Sequence, residues 1–349
     1  MKYIKILIAL FIFSILIFGG VAYWIYSSLH QPITHDKTEK YITIEKGESP
    51  NQIIGKLTAE GIIKSPLATQ IYLRTFGNAS RLEAGEYQFP SPINTLQVLE
   101  ELETGKQRTI KLTIPEGWTR FDIAKRIAAN FPTNPPMDEK AVLYLMNDTS
   151  QIKEIDPNAE NLEGYLYPTT YHFPPDTTPQ EVIKRMVDQF KTTWKPEWTQ
   201  TANQLGRTNQ EIVTIASLIE NESKVPAERP IVASVIYNRL DKQMALGIDA
   251  TNVYIAKLLG RWDGVINKSD IEVNHPYNTR KIAGLPPGPI SSASESSLKA
   301  ALNPAPTDYL YYVLDTDKND GSHNFYASAA EFEKGKAKYQ KWLAEQRNK

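Results

Sequence analysis

Residues 208–222, TNQEIVTIASLIENE, and residues 226–240, PAERPIVASVIYNRL, decide the fold of the C-terminal part of this chain. Thr208 and Glu211 have the spacing of a capping box, and the apolar residues that follow recur at helical spacing. Pro226 suits the first turn of a second helix, because proline lacks the N–H group that a first turn leaves unbonded. The sequence therefore predicts two consecutive helices that form a helical hairpin.

The segments after this hairpin predict shorter elements. Residues 285–289, LPPGP, must form a loop, and residues 294–302 have the pattern of a short helix. Residues 309–314 and 323–326 have the pattern of a β-hairpin, with Asn-Asp-Gly at 319–321 as its turn. A charged C-terminal helix closes the chain.

Upstream, a strand–turn–helix pattern occurs twice, 70 residues apart. TIEKG at 43–47 and TIPEG at 113–117 each precede an amphipathic helical pattern, with Ser49 or Thr119 placed to cap it. Two further segments extend the parallel: LEAGEYQF at 82–89 and LEGY at 162–165. The sequence thus predicts an internal repeat.

The N-terminus predicts a membrane anchor. Residues 6–29 contain no Asp, Glu, Lys or Arg, and about 20 apolar residues suffice to span a bilayer. Lys2 and Lys5 precede this run and the next lysine is Lys37, so the positive-inside rule places the N-terminus in the cytoplasm. A cleaved signal peptide with small residues at 20–22 is the alternative, but the run outlasts a usual signal core. We expect a single-pass protein of the cell (inner) membrane with an extracytoplasmic (periplasmic) body.

Composition removes several classes of function. Lys and Arg number 39 against 40 Asp and Glu, so no basic excess indicates a nucleic-acid partner. The chain has no cysteine, and its five histidines are scattered without a His-Glu-x-x-His pattern. It also lacks Gly-x-Ser-x-Gly and a phosphate-binding glycine loop. We therefore expect neither a metal nor a cofactor, and carboxylates remain as the candidates for chemistry.

Glu220 and Glu222 stand at the end of the first predicted helix, about 200° apart around its axis. Glu222 continues the apolar row formed by Ile212, Ile215 and Ile219, whereas Glu220 lies to the side. A carboxyl group on an apolar face is desolvated, which raises its pKa as a general acid requires. The alternative is a structural ion pair of Glu222 with Arg229 or Arg239.

Residues 216–222, 227–229 and 232–240 resemble the core signature of the endolytic murein transglycosylases, the YceG-like family. Further matches follow in order: EGYLYP at 163–168, Asp249, PYNT at 276–279, GLPPGPI at 284–290 and YLYY at 309–312. The resemblance covers roughly residues 40–345. Thr169 and Ala250 depart from it, because the family usually has Asp and Pro at these positions.

The resemblance implies that Glu222 is the catalytic glutamate. The implied reaction is non-hydrolytic cleavage of the β-1,4 bond between N-acetylmuramic acid and N-acetylglucosamine, with the muramyl 6-hydroxyl as nucleophile and a 1,6-anhydro end as product. Glu222 would act first as acid and then as base. Cutting inside nascent strands would make the enzyme a terminator of glycan polymerisation, with cell-wall synthases of the membrane as possible partners beside the peptidoglycan strands.

Eight further residues are candidates for contacts with the sugars, and packing in the core or in loops is the alternative for the tyrosines and asparagines. They are Glu220, Glu163, Tyr165, Tyr237, Asn238, Asp249, Tyr277 and Asn278.

The predicted fold class is α+β, with a membrane anchor, LysM-like βα modules and a catalytic domain whose helical hairpin carries the catalytic glutamate. Gly47-Glu48-Ser49 followed by Ile53 resembles the peptidoglycan-binding LysM module. The predicted division is a cytoplasmic tip and transmembrane anchor at 1–29, a linker at 30–40, a LysM-like module at 41–108, a second βα-type subdomain at 109–205 and a catalytic domain at 206–349.

Two other functions compete with this one. The first is a wall-binding scaffold that recruits synthases without chemistry. The second is a two-carboxylate muramidase, in which Glu222 is the acid and Glu163 or Asp249 is the nucleophile or stabiliser. A reducing end in place of an anhydro end would distinguish the muramidase.

Overall fold

The structure is a computed structural model that describes residues 2–105, 108–318 and 320–347. Within these residues it combines helices with three two-stranded sheets, which confirms the predicted mixture of helix and sheet. The chain divides into two compact units, residues 1–110 with 172–176 and residues 111–171 with 177–349. The elements up to the first boundary are α1 (Lys2–His30), β1 (Ile42–Ile44), α2 (Pro50–Ala59), α3 (Pro66–Thr75), β2 (Gly85–Tyr87) and α4 (Thr95–Glu103).

The remaining elements continue to the C-terminal helix, and two of the three unit boundaries, after Ile110 and after Tyr171, fall within a strand. In chain order they are β3 (Ile110–Thr113), α5 (Arg120–Asn130), α6 (Glu139–Leu145), β4 (Thr170–Phe173), α7 (Pro179–Thr193), α8 (Pro196–Gln204), α9 (Asn209–Glu222), α10 (Arg229–Asp241), α11 (Asp249–Leu258), α12 (Lys268–Glu272), α13 (Glu295–Leu302), β5 (Tyr311–Leu314), β6 (His323–Tyr326) and α14 (Ala329–Arg347).

Helix α1 is long and apolar enough to cross a membrane. Its apolar stretch, Ile6–His30, has a mean hydropathy of 2.6. Apolar side chains along it are exposed, Phe18 by 77% for example, as a lipid-facing helix requires. At its end Leu29 is buried in the first unit, and Ile33 beyond the helix forms an antiparallel bridge with Ile93.

The predicted internal repeat extends over five elements in each copy. The order β1, α2, α3, β2, α4 recurs as β3, α5, α6, β4, α7. Ser49 and Thr119 both cap their helices through capping boxes, as predicted. The third helix of each copy also begins with a capping box, at Asn94 and at Thr178. These last caps are 84 residues apart and the first pair 70, so the second copy is 14 residues longer.

The second strand of each copy shows where the sequence parallel was misplaced. The sequence paired residues 82–89 with residues 162–165, but the counterpart of β2 is β4. Tyr87 of β2 and Tyr171 of β4 are both buried, and each hydroxyl donates to the backbone carbonyl four residues earlier, at 2.8 and 2.6 Å. The shared tyrosine contact, and not the shared Leu-Glu pair, marks equivalent positions.

The helical hairpin forms as predicted, but its second helix begins later than expected. The capping box of Thr208 and Glu211 starts α9. Pro226 opens a single 3-10 turn, and α10 begins at Arg229 with Pro230 in its first turn. An α-helix from Pro226 would enclose Pro230, whose ring would clash with the carbonyl four residues earlier. Pro230 therefore fixes the start of α10.

Candidate active site

Helix α9 is enclosed by other helices over most of its length. Every residue from Ile212 to Ile219 is buried, and the helix packs against α8, α10, α11 and α13. Each large apolar side chain buried in this way contributes about 1.5–3 kcal/mol to folding. The sequence argument assumed that the apolar row of α9 distinguishes Glu222 from Glu220. Because α9 is buried on all sides, this row does not distinguish them, but their hydrogen-bond partners do.

Glu222 is the last residue of α9 and is partly buried. The Tyr312 hydroxyl donates to Glu222 Oε2 at 2.6 Å. Burial raises the pKa of Glu222 above its usual range, and the charge of Asp249 adds to this; the Tyr312 hydrogen bond and the nearby His323 and Arg239 act in the opposite direction. The C-terminal end of a helix also disfavours a carboxylate. Glu222 therefore keeps its proton to a higher pH than an ordinary glutamate, as a general acid does.

Glu220 has a different set of partners from Glu222. Arg229 Nη2 lies 2.9 Å from Glu220 Oε1, and Glu220 Oε2 accepts from the Ser294 backbone N–H at 2.9 Å and from its hydroxyl at 2.6 Å. The side chains of Glu220 and Arg229 are only 5% and 7% exposed. Within the described part of the chain neither Arg229 nor Arg239 forms an ion pair with Glu222, since Arg239 donates to backbone carbonyls. The ion pair considered for Glu222 belongs to Glu220.

The β5–β6 hairpin supplies partners of Glu222 that the sequence argument did not single out. The strands pair antiparallel, with Tyr312 opposite Phe325 and Leu314 opposite His323. Side chains two residues apart on a strand share a face, so these four residues face the same side. The sequence predicted the hairpin but not the register that brings these side chains together. Asn319, in the predicted turn, lies outside the described residues.

Asp249 is a second carboxylate near Glu222. It is the first residue of α11, and its side chain is 54% exposed. Its Oδ1 accepts a hydrogen bond from Arg280 Nε at 2.8 Å. Since its charge raises the pKa of Glu222, the two carboxyl groups share one electrostatic environment. Asp249 is nevertheless already engaged with an arginine.

Glu163 lies in a separate pocket and is only 3% exposed. Both of its carboxyl oxygens accept the backbone N–H of Arg120, at 3.0 and 3.1 Å, and the buried Tyr254 also bonds to it. Burial raises the pKa of Glu163 to about 7 despite these donors. The pocket has a volume of about 370 Å³, and Tyr165, Gln210, His275 and Tyr277 are among the residues that line it.

This pocket is distant from Glu222. Gln210 lies in the first turn of α9, twelve residues before Glu222, which is roughly 18 Å along a helix axis. The structure therefore groups Glu163 with Tyr165 and Tyr277, but it does not bring them to Glu222.

The other predicted sugar contacts use their polar atoms inside the protein. Tyr165 donates to buried Asp156 at 2.6 Å, and Tyr237 donates to the carbonyl of Ala301 at 2.8 Å. Asn238 donates to two carbonyls of the segment before β5, and fully buried Asn278 donates to one carbonyl within α12 and one directly after it. These four side chains hold loops in place. Over residues 2–105, 108–318 and 320–347, no group of three His, Asp or Glu side chains converges as a metal site would require.

Comparison with known proteins gives a consistent result. The YceG-like family model matches residues 42–338. An endolytic murein transglycosylase of Bacillus subtilis (strain 168) is 35% identical over 344 residues, covering 93% of this chain and 91% of that protein. One from Streptococcus pneumoniae serotype 2 is 30% identical over 306 residues, covering 80% of this chain and 55% of that protein. The crystal structure of a YceG-like protein from Listeria monocytogenes superposes with a TM-score of 0.56 at 33% identity, covering 84% of this chain and 98% of that one.

Proposed function

This chain belongs to the YceG-like family, and we propose that it is an endolytic murein transglycosylase, an enzyme that cuts within the glycan strands of peptidoglycan. The observation that carries the proposal is the environment of Glu222, a partly buried carboxyl group at a helix end, with a raised pKa and one hydrogen-bond donor. A carboxyl group of this kind is suited to give and take a single proton near neutral pH.

In the proposed reaction the Glu222 carboxylic acid donates its proton to the glycosidic oxygen between N-acetylmuramic acid and N-acetylglucosamine. The bond from the muramyl C1 to that oxygen breaks, and N-acetylglucosamine leaves with a 4-hydroxyl. The muramyl 6-oxygen then bonds to C1, while the Glu222 carboxylate takes its proton. The product is a 1,6-anhydro end, no water is consumed, and Glu222 returns to its acid form. Proximity of the 6-hydroxyl to C1 replaces an activated water.

A hydrolase is the second candidate, and Asp249 is the observation that favours it. Two-carboxylate glycosidases place a nucleophile or a base opposite the acid. Asp249 is the carboxylate whose charge acts on Glu222, whereas Glu163 lies in its own pocket. The Arg280 contact of Asp249 and its position on an exposed helix start favour an electrostatic role over a nucleophilic one.

The Glu163 pocket is the proposed site for a more distant part of the glycan strand. Tyr277 and His275 offer ring surfaces, and Gln210 offers an amide, in a concave site of about 370 Å³. Tyr165, whose hydroxyl is bound to Asp156, supports the wall of this pocket. Tyr237, Asn238 and Asn278 act in this proposal by holding the surrounding loops, and Glu220 acts through its pair with Arg229.

The proposed architecture follows the predicted division. Residues 41–108 form a LysM-like peptidoglycan-binding module, supported by a hydrophobic core of their own around β1, α2 and β2. Residues 1–29 anchor the protein with the N-terminus in the cytoplasm, and 30–40 link anchor and module. Residues 109–205 form the second subdomain and 206–349 the catalytic domain, whose hairpin of α9 and α10 carries Glu222. Cutting nascent strands beside membrane synthases would terminate glycan polymerisation.

The experiment is mass spectrometry of the products formed when the full chain, purified in detergent, meets uncrosslinked glycan strands. We expect 1,6-anhydro ends from the wild type and a loss of at least about a thousandfold in activity from Glu222→Gln, because the amide neither gives nor takes this proton. Glu295→Gln is the control, since Glu295 is an exposed carboxylate on α13.

Three results would contradict parts of this proposal. Reducing ends would identify a hydrolase. Intact strands that remain bound would identify a scaffold. Substantial cleavage by a folded Glu222→Gln variant would remove Glu222 from the chemistry.

A further inference from the structure

A chain of side-chain contacts leads away from Glu222 through the β5–β6 hairpin. The Tyr312 hydroxyl lies 2.6 Å from Glu222 Oε2. The ring of Tyr312 meets the ring of His323 edge-on, with centroids 5.4 Å apart and planes at 79°. His323 Nδ1 in turn lies 2.9 Å from Glu228 Oε2. Tyr312 and His323 thus connect the candidate acid to a second glutamate that has no place in the proposed reaction.

Glu228 holds His323 at two points. Its Oε2 bonds to the imidazole Nδ1, and its Oε1 accepts the His323 backbone N–H at 2.8 Å. The side chains of His323 and Glu228 are only 13% and 12% exposed, so water competes little for these bonds. A carboxylate bonded to one ring nitrogen fixes the orientation of an imidazole. The ring of His323 is therefore held rigidly against Tyr312.

The contact with Tyr312 makes the two oxygens of Glu222 inequivalent. Oε2 accepts the tyrosine hydroxyl, whereas Oε1 has no hydrogen-bond partner among the residues that the structure describes. Burial, together with the charge of Glu222, raises the pKa of Tyr312 well above 10.0, so its hydroxyl keeps its proton and remains a donor. When Glu222 is an acid, a donor at Oε2 directs the carboxyl proton to Oε1.

We propose, on the basis of the proposed function, that Tyr312 is a positioning residue which, steadied by the Glu228–His323 pair, holds Glu222 Oε2 so that Oε1 carries and transfers the proton. Tyr312 acts through Glu222 and takes no part in bond breaking. The register of β5 against β6 thereby sets the position of the Tyr312 hydroxyl at Glu222.

The test is the full chain with Tyr312→Phe, assayed on uncrosslinked glycan strands across a pH range. The ring and its packing remain, and only the hydrogen bond is lost. We expect kcat to fall roughly ten- to a hundredfold, the loss of one hydrogen bond to an ionisable group, with KM within about twofold of the wild type.

The pH profile separates positioning from a structural role. The Tyr312 hydrogen bond lowers the pKa of Glu222, while Asp249, His323 and Arg239 remain in place in the variant. Without the bond the pKa of Glu222 rises, so the alkaline limb of kcat/KM moves to higher pH. A residue that only packs would leave that limb where it is.

Tyr311→Phe is the matched control. Tyr311 precedes Tyr312 on β5 and belongs to the opposite face, where its ring stacks on Phe332 at 5.0 Å between centroids. Removal of its hydroxyl is expected to leave both kcat and the alkaline limb unchanged.

His323→Asn gives a second, independent reading if Tyr312→Phe does not fold. The asparagine amide can still donate to Glu228, but the ring against Tyr312 is gone. Because His323 also lowers the pKa of Glu222, we expect a smaller fall in kcat and an alkaline limb displaced in the same direction.

The outcomes are distinguishable. The positioning role is overturned if Tyr312→Phe has the kcat of the wild type, or if its kcat falls while the alkaline limb stays in place. If Glu222→Gln is inactive at the same time, the proposed function remains intact. An active, folded Glu222→Gln overturns the proposed function itself. A reduced kcat with a displaced limb in Tyr312→Phe, and no change in Tyr311→Phe, supports the inference.

Discussion

The C-terminal end of α9 and the N-terminal end of α5 each hold a carboxyl group with a raised pKa, but the two groups are bonded differently. Glu163 receives the first N–H of α5 on both oxygens and the Tyr254 hydroxyl as well. Glu222 receives one hydroxyl on one oxygen. A helix N-terminus stabilises a negative charge, and a helix C-terminus opposes it.

The difference shows that a raised pKa alone does not identify a general acid. Burial is the largest cause in both cases, so the direction of the shift is the same. The two groups differ in how many carboxyl oxygens are bonded to the protein: both in Glu163 and one in Glu222. A carboxyl group whose oxygens are both bonded to the protein has a structural use, whereas one with an open oxygen can reach a substrate.

Among substitutions of the carboxyl groups that bond within the protein, Glu220→Gln is expected to have the largest effect on stability. Glu220→Gln removes the buried carboxylate that lies 2.9 Å from the Arg229 guanidinium and leaves Arg229 with the exposed Glu116, at 3.9 Å, so we expect a loss of about 4 kcal/mol in the free energy of unfolding. Chemical unfolding followed by circular dichroism measures this loss, with the exposed Glu295→Gln expected to cost under about 1 kcal/mol. A Glu220→Gln protein as stable as the wild type but inactive would move Glu220 into the reaction.

The next effect concerns Glu163 and pH. Its folded pKa of about 7 lies above the ordinary 4.5, so the folded state binds the proton more tightly than the unfolded state. Its stabilising contribution is full below pH 4.5 and is lost as pH rises through about 7, for a change of about 3 kcal/mol.

Glu163→Gln has no such titration, so the unfolding free energy of the wild type should fall relative to the variant between pH 5 and pH 8. Unfolding curves at several pH values measure the difference. Parallel curves over this range would mean that Glu163 is not a buried acid in the folded protein.

The smallest expected effect is that of Asp249→Asn. Removal of this charge lowers the pKa of Glu222, so the alkaline limb of kcat/KM should move to lower pH. At neutral pH we expect a loss of roughly threefold, the size of an exposed charge interaction. Asp263→Asn, an exposed carboxylate between α11 and α12, is the control. A loss of a thousandfold in Asp249→Asn would instead favour the two-carboxylate hydrolase.

Local signals in the sequence predicted the helices with a clear cap and the C-terminal hairpin, but they predicted none of α3, α4, α6, α7, α8, α11 and α12. The capping boxes at Ser49, Thr119 and Thr208 each start a helix at the predicted residue. The start of α10 was misplaced because two prolines, Pro226 and Pro230, compete for the same position, and only one of them can open an α-helix. Which proline opens the helix depends on a steric clash between the Pro230 ring and the backbone, and the helix-start pattern alone does not show this clash.

The site was less accessible to sequence reasoning. Both the resemblance and the apolar row of α9 led to the proposal of Glu222, but α9 is buried all round, so periodicity alone does not favour one of its two terminal glutamates. Its partner Tyr312 is 90 residues away along the chain, and no local pattern reports a contact over that distance. The predicted β-hairpin did pair the strands that carry Tyr312 and His323, and this was the one usable signal.

The lengthened second copy of the repeat bears on how this protein arose. Its 14 additional residues fall between the cap of α5 and the cap of α7, the interval that also contains Asp156, Glu163 and Tyr165. Duplication of an ancestral unit followed by insertion produces such a pair, with one copy short and one enlarged. The enlarged copy supplies Asp156, Glu163 and Tyr165 to the lining of the Glu163 pocket, so the extra length and this pocket lie in the same segment of the chain.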